Sequence, residues 1–203
     1  VGLVFEDVHF EATDSTRLHG WFVPAFDAHL TVVFCHGNAG DVADRLVTLQ
    51  LIHDLGLSVL IFDYRGYGRS EGRPSEQGLY ADVEGVWRHL TQAEGIDPAS
   101  IVVWGRSLGG AVAVHLASVE RPAGLIVESS FSSAVDVAGH HYGWLPVRWL
   151  MRSRFEAVEK VAGSDVPKLF LHSEQDEVIP YALGRRLYEA AAEPKRWVDL
   201  SGD

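Results

Sequence analysis

Ile101-Val102-Val103-Trp104-Gly105-Arg106-Ser107-Leu108-Gly109-Gly110 is the stretch that decides how this chain is read. Residues 101–104 are apolar and read as a buried strand, and Gly105-Arg106-Ser107-Leu108-Gly109 follows with no spacer. A helical pattern then opens, with Leu108, Val112, His115/Leu116 and Val119 expected on one face. Strand, sharp bend and helix with a serine at the apex is the arrangement called a nucleophile elbow. In so tight a bend, side chains two residues either side of Ser107 would collide, so glycine is needed at 105 and 109. The helix end beneath Ser107 would aim unpaired N–H groups and a partial positive charge at the hydroxyl, where negative charge is then stabilised. The competing reading is a serine in an ordinary strand-to-helix turn.

The pentapeptide by itself is weak evidence, because Gly68-Arg69-Ser70-Glu71-Gly72 also fits G-x-S-x-G. There Tyr64-Arg65-Gly66-Tyr67 intervenes after the strand, and Gly72-Arg73-Pro74 stands where a helix should start. That context is a polar, glycine-rich loop, so Ser70 is read as structural.

Strands and helices alternate outward from the elbow. Residues 3–11 and 17–23, around Thr13-Asp14-Ser15-Thr16, read as a strand, turn and strand. Residues 30–35 form an apolar strand ending in His36-Gly37-Asn38-Ala39-Gly40. A helix follows from about Asp41 to Gly56, with Val42, Leu46, Leu49, Ile52 and Leu55 inward. Residues 57–62 are the next strand, and 75–94 a helix with Leu79, Val83, Val86, Trp87 and Leu90 inward. Later come strands at 124–127, 168–172 and 196–200 and a helix at 181–192 opened by Pro180. This order predicts an α/β architecture: an eight-stranded, mostly parallel sheet with helices on both faces, led by an antiparallel pair. At 203 residues the expectation is a single domain, with 129–166 as an insertion between strands.

Lys+Arg 17 against Asp+Glu 28 gives a formal net charge of −11, which argues against a nucleic-acid partner. The single cysteine, Cys35, can form no internal disulfide and reads as a small buried residue. No apolar run approaches the roughly 20 residues of a bilayer-spanning helix. The chain starts at Val1 already in strand-like alternation, so truncation at both ends is expected. A cytoplasmic place, or attachment to a membrane through an upstream segment, would both fit that start.

Sites in open parallel sheets form at the carboxyl ends of the strands. Ser107 follows one such end, and Asp176 follows another in His172-Ser173-Glu174-Gln175-Asp176-Glu177. A carboxylate there would orient a catalytic imidazole, Ser preceding Asp in chain order. Glu128 is the rival acid, and Asp165 and Glu177 read as surface charges. An oxyanion needs two preset backbone N–H groups, one from the residue after the nucleophile and one from the 36–40 loop. That assigns Leu108 and Asn38, with Gly37 easing the loop and Ala39 the fallback donor; His36 reads as structural. A phosphate-binding reading of the loop fails, since no Gly-Lys-Ser/Thr follows.

Phe34-Cys35-His36-Gly37-Asn38-Ala39-Gly40, Phe62-Asp63-Tyr64-Arg65-Gly66-Tyr67-Gly68, Gly105-Arg106-Ser107-Leu108-Gly109-Gly110 and residues 172–180 together resemble the α/β-hydrolase fold. The nearest resemblance is to the small serine hydrolases that include membrane-tethered lysophospholipases and protein depalmitoylases. It implies a Ser–Asp–His triad built on Ser107 and Asp176, with no cofactor and no metal. It also implies that the histidine sits just after the last strand, where this chain has Ser201-Gly202-Asp203. None of the ten histidines lies there, so the base is expected just beyond Asp203 and the 203-residue chain is expected to be inactive. His140-His141 in the insertion are the pair nearest to substituting for it, and they lack carboxylate or cysteine company for a metal.

Phe131, Tyr142, Trp144, Leu145, Trp149, Leu150 and Phe155 make 129–166 apolar, as a helix packed on the body or as a cap over an acyl chain. Arg148, Arg152 and Arg154 suit an anionic head group or a membrane surface, or simple pairing with Glu156 and Glu159. The expected function is serine hydrolysis of carboxylic esters or thioesters through an acyl-enzyme on Ser107. The alternatives are an aminopeptidase-like hydrolase and a non-catalytic binding protein of the same fold. Oligomeric state, acyl length and head group are not written in the sequence.

Overall fold

The computed structural model describes residues 2–142, 144, 146 and 150–202. Among them one sheet of eight strands runs in the order β1-β2-β4-β3-β5-β6-β7-β8. β1 (Glu6–Glu11), β2 (Arg17–Val23) and β4 (Ser58–Phe62) pair antiparallel in succession. β3 (Thr31–Cys35), β5 (Ile101–Arg106), β6 (Gly124–Glu128), β7 (Lys168–Ser173) and β8 (Lys195–Leu200) extend the sheet in parallel from β4.

The central strands are apolar throughout because both faces are covered. Val33, Cys35, Leu60 and Phe62 point to one side, under α2 (Glu76–Arg88), α3 (Leu108–Val119), α5 (Ala157–Val161) and α6 (Tyr181–Ala190). Val32, Phe34, Val59 and Ile61 point to the other, under α1 (Leu46–Asp54). Alternation with period two thus feeds two cores from one strand. α4 (Ala134–His141) and α5 lie between β6 and β7. Leu145, Arg148 and Trp149, which the sequence places in a cap, lie outside the described residues.

Three expectations need correction. β1 starts at Glu6, because residues 3–5 lie outside the ladder with β2. The expected helix from Asp41 divides into a 3-10 turn at Val42–Arg45, with Val42 buried, and α1, with Leu49 and Ile52 buried; Leu55 is 66% exposed beyond the helix end. α3 has no single inward face. Residues 109–117 are all buried while Val119 is 56% exposed, since the helix is wedged between sheet, α2 and α5 rather than lying on a surface.

Candidate active site

β5 ends at Arg106 and α3 starts at Leu108, so Ser107 alone makes the bend, with φ 54° and ψ −121°. Such a backbone costs on the order of 1–3 kcal/mol and persists only where neighbours hold it. Here the Ser107 N–H donates to the Glu128 carbonyl at 2.9 Å. Its own carbonyl accepts from Gly110 N–H at 2.9 Å and from the Ser130 hydroxyl at 2.8 Å. The Ser107 hydroxyl makes no capping bond to the helix it precedes. A Cβ on Gly105 would overlap the Gly109 carbonyl, and one on Gly109 would overlap the Cys35 carbonyl, so both glycines are required by contact.

The 36–40 loop runs directly past the serine. A Cβ built on Gly37 would stand 3.5 Å from the Ser107 Cβ. His36 is fully buried and its Nδ1–H donates to the Gly37 carbonyl at 2.7 Å, a structural use. Burial holds His36 below the usual imidazole value, so it stays neutral. The Asn38 side chain accepts from the Tyr67 hydroxyl at 2.7 Å.

Asp176 arrives from the turn after β7. Its Oδ1 accepts from the Val178 and Ile179 N–H groups at 2.9 and 2.8 Å, which leaves Oδ2 3.5 Å from His172 Nε2. His172 is buried, donates Nε2–H to the Ile179 carbonyl at 3.0 Å, and stacks on Trp197. It buttresses the acid from behind. Ser107 and Asp176 line one cleft of about 380 Å3 with Arg106, Ser129, Glu177, Val178 and Ile179. Among the described residues no histidine lines that cleft. β7 and β8 run in parallel register, Ser173 opposite Leu200, and Gly202 N–H reaches Gln175 Oε1 at 3.4 Å. Gly202, just past β8, therefore lies against the neighbour of Asp176 in the turn after β7.

The rival acids are spoken for. Glu128 accepts from Trp104 Nε1 at 2.9 Å and pairs with Arg106 at 2.8 Å. Asp165 is an exposed partner of Arg121, and Glu177 is exposed on the cleft rim. His141 donates Nε2–H to the Val178 carbonyl at 2.9 Å and so ties α4 to the Asp176 loop. No three His, Cys, Asp or Glu among the described residues stand where they could share a metal ion.

A second pocket, of about 450 Å3, is lined by Leu108 and shares Ile179 with the first cleft. Leu79, Phe131, Val137, Met151, Phe155 and Ile179 give it apolar walls, and Asn38 and Tyr67 stand at its edge. Phe131 and Phe155 thus face inward as a cap should, while Trp144 and Leu150 are 81% and 65% exposed. Arg154 pairs with Glu156 at 3.1 Å. Sequence reasoning missed Tyr67, Ser130 and His172 as supports of the site. Tyr67 in the glycine-rich 63–68 loop was the one visible signal, a large polar ring where a loop needs none.

The alpha/beta hydrolase family model matches residues 32–201. The uncharacterized protein Rv2307c of Mycobacterium tuberculosis is 44% identical over 97% of this chain and 70% of its own length. The lysophosphatidylserine lipase ABHD12 of Danio rerio is 35% identical over 86% of this chain and 51% of its own. The esterase Pf2001 of Pyrococcus furiosus superposes with a TM-score of 0.78, covering 98% of this chain and 84% of that one at 18% identity, a likeness of fold.

Proposed function

The chain belongs to the alpha/beta hydrolase family, and on that premise we propose that it is a serine hydrolase of carboxylic esters or thioesters, with Ser107 as nucleophile. The observation that carries the reading is the strained Ser107 at the elbow, sharing a cleft with a half-buried Asp176. In the proposed reaction Ser107 Oγ attacks the acyl carbonyl as its proton passes to an imidazole between Ser107 and Asp176. On this reading the imidazole is supplied from beyond Asp203, and the position of Gly202, whose N–H reaches Gln175 Oε1 next to Asp176, supports it. Asp176 steadies the imidazolium, and the Asn38 and Leu108 N–H groups hold the oxyanion. The alcohol or thiol leaves with the proton, and water then hydrolyses the acyl-enzyme by the same route.

The apolar pocket beside Leu108 supports an acyl chain of medium length, at a volume ordinary for small-ligand sites. The lipase relative supports a lipid-like ester. Among the described residues no helix is long and apolar enough to cross a membrane.

A fluorophosphonate probe on protein expressed from the whole gene should label Ser107, and Ser107→Ala should abolish labelling. A p-nitrophenyl ester series should peak at medium chain length and outrun aminoacyl anilides; the reverse order would make the protein aminopeptidase-like. The cleft without a histidine among the described residues favours a second reading, a binding module using the same pocket. Absence of labelling, with fatty acyl esters still bound, would establish that one instead.

A further inference from the structure

A second carboxylate–imidazole pair lies away from Ser107, where α2, α3 and α5 meet. His115 on α3 has Nε2 2.7 Å from Glu84 Oε1 of α2, so Nε2–H donates to the carboxylate. That tautomer leaves Nδ1 as a bare lone pair, and Nδ1 stands 2.6 Å from Lys160 Nζ of α5. The Tyr80 ring stacks on the imidazole at 3.9 Å between centroids and lies 3.7 Å below the Lys160 nitrogen, which fixes the order of all three groups.

The chain has three lysines, and the other two are built differently. Lys168 donates to the Val166 and Ala192 carbonyls, and Lys195 to those of Tyr188, Glu189 and Ala191. Carbonyls stabilise an ammonium and cannot take its proton. Half-buried Lys160 alone of the three faces a base. Burial lowers its amine below the ordinary lysine value, against the opposing pull of Glu76 and Glu84. Burial likewise keeps His115 below the usual imidazole range and so neutral.

We propose that Lys160 is a site of covalent acylation, its amine activated by the Glu84–His115 pair and its donor a small activated acyl group, an acyl phosphate or acyl thioester. The Lys160 ammonium passes one proton to His115 Nδ1, and the imidazolium is held by Glu84 as an orienting carboxylate holds a catalytic histidine. The neutral amine attacks the acyl carbonyl. A C–N bond forms, the C–O or C–S bond to the donor breaks, and the phosphate or thiolate leaves with the electron pair. The amide nitrogen sheds its remaining extra proton to the departing anion, and His115 returns its own to water. The product amide carries no charge over the Tyr80 ring, whose hydroxyl holds Glu76 in the wall of the apolar pocket at 3.0 Å.

The test is site-resolved mass spectrometry of the whole protein exposed to acetyl phosphate in one arm and an acetyl thioester in the other. Lys160 should be acetylated on the order of 10²-fold faster than Lys195, the low end of what a positioned base supplies. Its preference should vanish in His115→Gln and shrink in Glu84→Gln, the second variant serving if the first fails to fold. Preference in only one arm would identify the donor. Equal rates at the three lysines, or a preference that survives the loss of both His115 and Glu84, would overturn the assignment.

Discussion

The two G-x-S-x-G copies use the same letters for opposite ends. At Ser107 the backbone is pinned on both sides, and the hydroxyl makes no bond to cap its helix. At Ser70 the hydroxyl is consumed: it donates to the Asp63 carbonyl at 2.6 Å and accepts from His19 N–H at 2.9 Å. One copy strains its backbone to present a side chain, and the other uses a side chain to relieve its backbone. The difference lies in the residues after each serine. Leu108 opens a buried helix, whereas Glu71 and Gly72 continue a loop held by Arg65 and Asp82.

The largest effect should separate the copies outright. Ser107→Ala should lower ester turnover on the order of 10⁶-fold, as loss of the nucleophile does in another serine hydrolase, with the unfolding midpoint unchanged. Ser70→Ala should leave turnover within a few-fold, and comparable losses from both would break the comparison.

Next comes the anchor of the Ser70 loop. Asp82 is fully buried and takes Arg65 Nε and N–H at 2.8 and 2.9 Å, while Asp14 holds the other guanidinium nitrogens at 2.8 and 3.0 Å. Arg65 keeps the Asp14 carboxyl well below its ordinary value, whereas desolvation pushes Asp82 up. The hydrogen-bond geometry favours an ionised Asp82 inside this pair. Asp82→Asn should therefore cost about 3–5 kcal/mol in urea unfolding, the range for breaking a buried pair.

Tyr67 joins the two regions, since it sits in the Ser70 loop and holds Asn38. Tyr67→Phe should lower kcat at constant KM by less than the roughly 10²–10³-fold of losing an oxyanion donor outright. An unchanged kcat would show the loops to be independent. Ser70→Ala should cost about 1–3 kcal/mol of stability, the penalty for leaving buried backbone groups unpaired.

The smallest effect is one of pH. Burial lowers His36, His89 and His115 from 6.5 in the folded chain, so below that value the unfolded chain binds more protons. Their stability contribution is full above 6.5 and falls as pH drops toward the lowered folded values. The lowered carboxyls of Asp7 and Asp14 act only below 3.8, so they do not interfere. The urea midpoint should be lower at about pH 5.5 than at about pH 7.5, with part of the slope lost in His36→Gln. A flat profile would mean that these rings protonate in place.

Much of this was legible because it is local. Short apolar runs at residues 31–35 and 58–62 mark strands covered on both faces, and Gly105 and Gly109 flank Ser107 because chain geometry two residues away demands it. The order of strands and turns also carried Asp176 to the cleft. The all-round burial of α3 was hidden, since periodicity reports one face of a helix and not how many neighbours surround it. The insertion between β6 and β7 read only as apolar, because α4 and α5 are short and docked by partners far along the chain, such as Val178 for His141.

The sequence by itself determined the alternating α/β order, the bend at Ser107 and the loop character around Ser70, each set by steric and hydrophobic terms acting within a few residues. Tertiary structure alone decided that Tyr67 meets Asn38, that His172 backs Asp176 and that Lys160 faces His115. Those are contacts between side chains on separate elements, and their distances exist only once the sheet register and helix packing have fixed where each element lies.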